Sequence, residues 1–244
     1  MDGYDVSSYG ERIAEIYDDL HEARLDVDAT VACLADLAAG GPALELAIGT
    51  GRVALPLAAT GVTVAGIDIS PAMVAKLRAK AGGNDIEVMI GDFADVAVGD
   101  TAYRLVYLVF NTLFALLTQK RQVQCFENVA RHLTDDGVFV VEAFVPDLGR
   151  FRHHQNVTAA EVGLAGARLD VSRHDPARQR IDSSHLVFSD GSVRLYPIAI
   201  RYAWPSELDL MAQLAGLRLL DRWSGWRREP FGPDSGGHVS VYGR

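Results

Sequence analysis

Glu45-Leu46-Ala47-Ile48-Gly49-Thr50-Gly51 carries an apolar strand into a glycine turn. The next two apolar segments end in the same manner, one at Asp68 and the other at Gly91-Asp92-Phe93. Three successive strand ends, each closed by glycine or an acid, form a far more specific pattern than a lone glycine pair.

Working outward from that stretch, strands are predicted over 43–47, 63–67, 86–90, 105–110 and 138–144, with helices over 52–59, 71–81 and 119–132. The strands read as continuous apolar runs, the signature of strands buried on both faces. Ser70 suits an N-cap and Pro71 a first helical turn. Pro56 is tolerable only near a helix start or at a slight kink. Alternating strands and helices predict an α/β fold, a parallel sheet with helices on both faces.

Residues 1–40 read as a helical cap, with one helix over 9–20 (Ile13, Ile16, Tyr17 and Leu20 on one face) and a second over 28–39. Residues 41–145 form the core. Residues 146–203 break its rhythm: three strands over 167–174, 180–188 and 193–202, with a hairpin signal at Asp190-Gly191, predict an antiparallel β insertion. Residues 204–244 complete the core with a helix opened by Trp204-Pro205, ended at Gly216, and two strands over 217–226 and 239–242.

Composition narrows the function classes. The net charge of −9, with no Lys/Arg-rich stripe, argues against a nucleic-acid partner. No apolar run reaches the roughly 18 residues of a membrane span. The acidic start, Met1-Asp2-Gly3-Tyr4-Asp5, has no apolar stretch of the kind a secretory leader carries. Cys33 and Cys125 sit in apolar helical patterns and read as buried free thiols, which points to a cytoplasmic location. No spacing of His, Cys, Asp or Glu suggests a metal.

The strand-end residues have a shared chemistry. Gly49 and Gly51 let the backbone approach a ligand closely, and free N–H groups of the turn favour an anionic group. Asp68, 19 residues beyond Gly49, suits the two hydroxyls of a ribose. Asp92 can accept from an adenine amino group, and the Phe93 backbone can reach a ring nitrogen. Gly49-Thr50-Gly51-Arg52-Val53-Ala54 also fits the G-x-G-x-x-A of nicotinamide dinucleotide proteins, which keeps an NAD(P)-dependent oxidoreductase open. Against it stand Glu45, an acid inside an apolar strand, and the second acid, Asp92.

These residues resemble the class I S-adenosylmethionine-dependent methyltransferases. Residues 45–51 match that family's E-x-G-x-G-x-G, with Ala47 in place of the first glycine. Gly66-Ile67-Asp68-Ile69-Ser70-Pro71-Ala72-Met73 matches its second strand end, and Gly91-Asp92-Phe93 its adenine segment. The resemblance covers about residues 10–145 and the last two strands. It implies a Rossmann-like seven-stranded sheet, mostly parallel with an antiparallel last strand. It implies S-adenosylmethionine as donor and S-adenosylhomocysteine as product, held by Tyr17, Glu45, Ala47, Gly49, Gly51, Arg52, Asp68, Ile69, Met73, Asp92, Phe93 and Phe110. The N-terminal helices and the insertion are similar to those of small-molecule N- and O-methyltransferases, including antibiotic-pathway amino-sugar N-methyltransferases. There the insertion is a lid over a small-molecule acceptor and often a homodimer contact. A catalytically inactive donor-binding module is the non-enzymatic alternative.

Around the acceptor, each residue carries a functional and a plain reading. Tyr9 and Tyr17 fold over the active site or pack helices on the core. Asn111 contacts the acceptor or shapes a turn; Asn111-Thr112-Leu113-Phe114 is not the Asn-Pro-Pro-aromatic signature of base-amino methylation. Glu142 is a base or ammonium partner, or a structural hydrogen-bonding group. His153 is a candidate base and His154 a substrate contact, though adjacent histidines point apart on regular backbone. Tyr196 and Arg201 line a pocket or pack the insertion.

Overall fold

The computed structural model describes residues 1, 4, 6–21, 26–95, 102–164, 166–189 and 191–244. Asp2, Gly3 and Asp5 of the acidic start and Asp190 of the hairpin signal therefore lie outside the described residues.

The elements run α1 (Val6–Ile13), α2 (Tyr17–His21), α3 (Val27–Ala38), β1 (Ala43–Leu46), α4 (Ala54–Ala59), β2 (Val64–Asp68), α5 (Pro71–Arg78), β3 (Glu87–Ile90) and β4 (Tyr103–Leu108). After a short 3₁₀ turn come α6 (Gln119–His132), β5 (Leu133–Phe144), β6 (Gln155–Val162), β7 (Gly166–Asp175), β8 (Arg180–Ser189), β9 (Ser192–Arg201), α7 (Pro205–Leu214), β10 (Arg218–Trp223) and β11 (Gly237–Gly243).

Seven strands make one sheet in the order β10-β11-β5-β4-β1-β2-β3. β1 pairs in parallel with β2 and β4, and β5 with β4. β11 runs antiparallel between β5 and β10. Successive side chains on a strand face opposite ways, so each central strand feeds two apolar layers. Val106, Leu108, Phe139 and Val141 join Phe126 of α6 and Leu208 and Met211 of α7. Leu105, Val138 and Val140 join Leu34 of α3 and Leu57 of α4. Helices thus cover both faces.

Several boundaries depart from the sequence expectation for physical reasons. β3 is not buried on both faces: it is an edge strand, and Ile90 is 55% exposed. α4 starts at Ala54, which puts Pro56 in its first turn, where a missing N–H costs no helical bond. Ser70 caps α5 by accepting from the Met73 N–H at 3.3 Å, with Pro71 following as expected. The single helix expected over 9–20 is two, α1 and α2, split by a turn that closes with Ile16 N–H on Ile13 C=O at 2.9 Å.

The insertion is a separate four-stranded antiparallel sheet, β6-β7-β8-β9, rather than three strands. Its extra strand, β6, pairs with β7 from Gln155↔Arg173 to Val162↔Ala167. Almost all of it is exposed, so it lacks the apolar alternation by which a strand is recognised.

Candidate functional site

The turn after β1 is built on left-handed backbone. Ala47 has φ +57°, Gly49 +56° and Gly51 +76°. A Cβ added to Gly49 would meet the Met73 methyl at 3.3 Å, and one added to Gly51 would meet Leu77 at 3.0 Å. Bare backbone here lets the turn lie close to α5.

Asp68, at the tip of β2, ties that turn to the next strand. Its carboxylate accepts from Gly49 N–H at 2.7 Å and from Ser70 N–H at 2.8 Å. Burial raises its pKa, against the pull of those amides. Glu45 faces Tyr107, its partner in the β1–β4 register, whose hydroxyl donates to Oε2 at 3.0 Å. Burial, opposed by that bond and reinforced by the Asp68 charge, pushes Glu45 up to about 8. The acid inside an apolar strand therefore has the partner that its placement demands.

Asp92 stands at the third tip, after β3. One oxygen accepts from the Ala94 N–H at 2.9 Å, and the other pairs with Arg121 of α6 at 2.6 Å. The Phe93 ring is buried in the core, and its carbonyl accepts from Asn128 at 3.1 Å. Ile69 follows Asp68 directly, and Met73 is buried against Gly49.

The N-terminal helices lie across these tips. Glu11 accepts from the Ser70 hydroxyl at 2.7 Å, and Asp18 from the Thr50 hydroxyl at 2.6 Å. Lys80 pairs with Asp18 at 2.7 Å and donates to the Thr50 carbonyl at 2.8 Å. Tyr17 is thereby brought among Arg52, Glu45 and Asp68; burial drives its hydroxyl up to about 12, with Arg52 opposing and the two carboxylates adding. The Arg52 guanidinium lies 4.7 Å from the Phe110 ring centre and 5.9 Å from that of Tyr17. Three tip acids, a bare glycine turn and an aromatic–cation wall fit an adenosine linked to an amino acid. The structure thus brings Tyr17, Glu45, Ala47, Gly49, Gly51, Arg52, Asp68, Ile69, Met73, Asp92, Phe93 and Phe110 to one end of the sheet.

The expected acceptor residues divide. Phe110 and Asn111, after β4, are both left-handed, at φ +57° and +62°. Glu142 holds that turn: Oε2 accepts from Phe110 N–H at 2.8 Å and Oε1 from Trp226 Nε1–H at 3.1 Å. Each carboxylate oxygen thus accepts one bond that holds the turn, and Glu142 also lines a hollow beside Asn111. Asn111 Oδ1 accepts from Phe144 N–H at 2.6 Å. The Arg201 guanidinium is buried between Glu207 at 2.7 Å, Gln179 at 2.9 Å and Gln122 at 2.5 Å. Tyr196 is buried within the insertion sheet opposite His185. His153 and His154 are exposed and left-handed, and the His154 carbonyl accepts from His174 N–H at 2.9 Å. Tyr9 is half-buried in α1.

Two hollows, of about 160 and 200 Å³, flank Phe144. One reaches Arg150 and Ile181 of the insertion; the other reaches Asn111, Ser224 and His238. Tyr107, Arg121, Trp226 and His238 were missed from the sequence. Tyr107 alone had a usable signal, because parallel pairing of the first and fourth strands sets it beside Glu45. Among the described residues, no group of three or more His, Cys, Asp or Glu is placed to hold a metal ion, and no helix is long and apolar enough to cross a membrane.

Residues 43–137 match a family described as a methyltransferase domain. A dTDP-3-amino-3,6-dideoxy-alpha-D-glucopyranose N,N-dimethyltransferase of Streptomyces fradiae is 31% identical over 188 residues, 74% of this chain and 72% of the relative. A cypemycin N-terminal methyltransferase of Streptomyces sp is 26% identical over 193 residues, 79% of this chain and 78% of the relative. Among solved structures, the CcbJ methyltransferase from Streptomyces caelestis superimposes with a TM-score of 0.91 at 40% identity, covering 98% of this chain and 99% of the other.

Proposed function

The chain belongs to the S-adenosylmethionine-dependent methyltransferases and uses that donor on a small-molecule acceptor, and from this premise we propose that the methyl goes to an amine nitrogen. The nicotinamide-dependent and inactive alternatives find no support beside that membership.

The donor, when bound, supplies an electrophilic methyl on a sulfonium. The chain's own work is to hold, align and exclude water. We assign Asp68 to the ribose, Asp92 and the Phe93 backbone to the adenine, and the turn from Ala47 to Gly51, with Glu45 behind it, to the amino-acid end. Tyr17, Arg52 and Phe110 enclose the reacting end, with Ile69 and Met73 packed beside it. Tyr9, Asn111 and His154 remain the proposed acceptor contacts.

What favours nitrogen over oxygen is the kind of acceptor found among the relatives, and the chemistry of the transfer accommodates it. A hydroxyl acceptor needs a base to take its proton; a neutral amine offers its lone pair without one. Each Glu142 oxygen already accepts one hydrogen bond, from Phe110 N–H and from Trp226 Nε1–H, and His153 is exposed. The names of two relatives, an amino-sugar N,N-dimethyltransferase and an N-terminal methyltransferase, agree with an amine. The test is methyl transfer from labelled S-adenosylmethionine to two probes, dTDP-3-amino-3,6-dideoxy-α-D-glucopyranose and a short peptide with a free N-terminus. Label recovered on nitrogen is the expected result; label recovered on oxygen of either probe overturns it.

We further assign the insertion sheet as acceptor lid and homodimer contact. β6 is an unpaired edge with Val157 and Val162 exposed, and Leu164 follows it. The free, buried thiols Cys33 and Cys125 support a reducing compartment, the cytoplasm.

A further inference from the structure

His238 has no place in the site described so far, yet it lines the hollow beside Asn111 and Phe144 at the tips of β5 and β11. It lies opposite Ala143 and is 1% exposed. Asn111 belongs to the same turn as Phe110, so this hollow adjoins the proposed meeting point of donor and acceptor.

The two ring nitrogens have different surroundings. Nδ1 is 2.8 Å from Ser240 Oγ, and that oxygen is 2.8 Å from Arg222 Nε. A guanidinium only donates, so Ser240 accepts there and keeps a hydrogen that it can give to His238 Nδ1. Arg222 is fixed in turn by Asp209 at 2.5 Å. With Nδ1 accepting, the single proton of a neutral ring sits on Nε2. The ring is neutral: burial, aided by the Arg222 charge and opposed by Asp209, pushes it down to about 4. Nε2 is buried and has no hydrogen-bond partner among the described residues. Native folds seldom leave a buried donor in that condition without a functional reason. The Phe231 and His238 rings meet in a T-shape, 6.2 Å between centres.

Resting on the small-molecule methyltransferase reading, we propose that His238 Nε2–H donates a hydrogen bond to an oxygen of the acceptor, a carbonyl or hydroxyl, and so orients its amine toward the β4 tip. A relay that leaves only a donor selects an oxygen-bearing amine and disfavours a second ammonium at that point. It also makes His238 a specificity residue and not a base, since its free nitrogen already carries the proton.

The test uses ¹⁵N-histidine-labelled protein saturated with S-adenosylhomocysteine, with His238→Phe identifying the signals. The expected result is a ring protonated on Nε2 whose signals move on adding dTDP-3-amino-3,6-dideoxy-α-D-glucopyranose or alanyl-alanine amide. His238→Phe should weaken that probe by at least about tenfold, which is about 1.4 kcal/mol. His238→Gln, whose amide can donate from the Nε2 position, should keep it within about threefold. S-adenosylhomocysteine affinity should be unchanged in both. A ring protonated on Nδ1, signals unmoved by either probe, or loss of S-adenosylhomocysteine affinity in His238→Phe overturns the proposal. The first two leave donor binding, and with it the methyltransferase reading, intact. If His238→Phe does not fold, Ser240→Ala, which releases the tautomer, takes its place: weaker probe binding supports the relay and unchanged binding overturns it.

Discussion

Ala47 holds φ +57° with a Cβ, at the position where the family motif has glycine. Left-handed backbone costs an L-residue roughly 1–2 kcal/mol, partly offset by the greater unfolded freedom of glycine. Ala47→Gly should therefore raise stability by about 1 kcal/mol in urea unfolding. Glu45 gives a pH signature. With its folded pKa raised to about 8, the native protein holds a proton that the unfolded chain has released, so stability falls as pH rises from about 4.5 toward 8. Glu45→Gln should flatten that slope in urea midpoints measured across the window on ligand-free protein; an unchanged slope would reject the assignment. Asp68→Ala removes the acceptor of two amides, and calorimetry with S-adenosylhomocysteine should read at least about a tenfold loss of affinity, or about 1.4 kcal/mol. Asp68 was legible in the sequence because an acid ending an apolar strand is a local signal. The roles of Tyr107, Arg121 and His238 were not, because each depends on a partner in another strand or helix: Glu45, Asp92 and, through Ser240 of the same strand, Arg222.

At the scale of elements, the sheet was readable because its central strands are unbroken apolar runs. The failures share one cause, the absence of burial: β6 and β3 lie at sheet edges, where sequence need not be apolar. The α1–α2 break escaped notice because a helical stripe survives a short turn; its cause is tertiary, in the bonds of Glu11 to Ser70 and Asp18 to Thr50. Arg201 shows how the insertion is fastened. It leaves β9 to join Gln122 of α6 and Glu207 of α7, and its loss takes a charged donor from a half-buried carboxylate that keeps Gln119 and Gln179. A hydrogen bond to a charged group contributes about 1.5–3 kcal/mol. Arg201→Ala should lower stability by about 1.5–3 kcal/mol in urea unfolding, whereas a pocket residue would change acceptor binding alone.

For the whole molecule, the insertion presents a free β6 edge and exposed valines on one side of a chain whose sheet is otherwise wrapped by helices. Val157→Glu should convert the proposed dimer to monomer in sedimentation equilibrium while leaving S-adenosylhomocysteine affinity unchanged; a dimer that persists places the contact elsewhere. The chain leaves the large sheet at Phe144 and returns through Trp204, and β5 meanwhile pairs only with β4 and β11. No rung of the central ladder depends on what happens between those two exits. Descendants of such a gene can therefore trade, stretch or prune the excursion and inherit the methyl-donating machinery unaltered, so that new customers are recruited without reinventing the reagent.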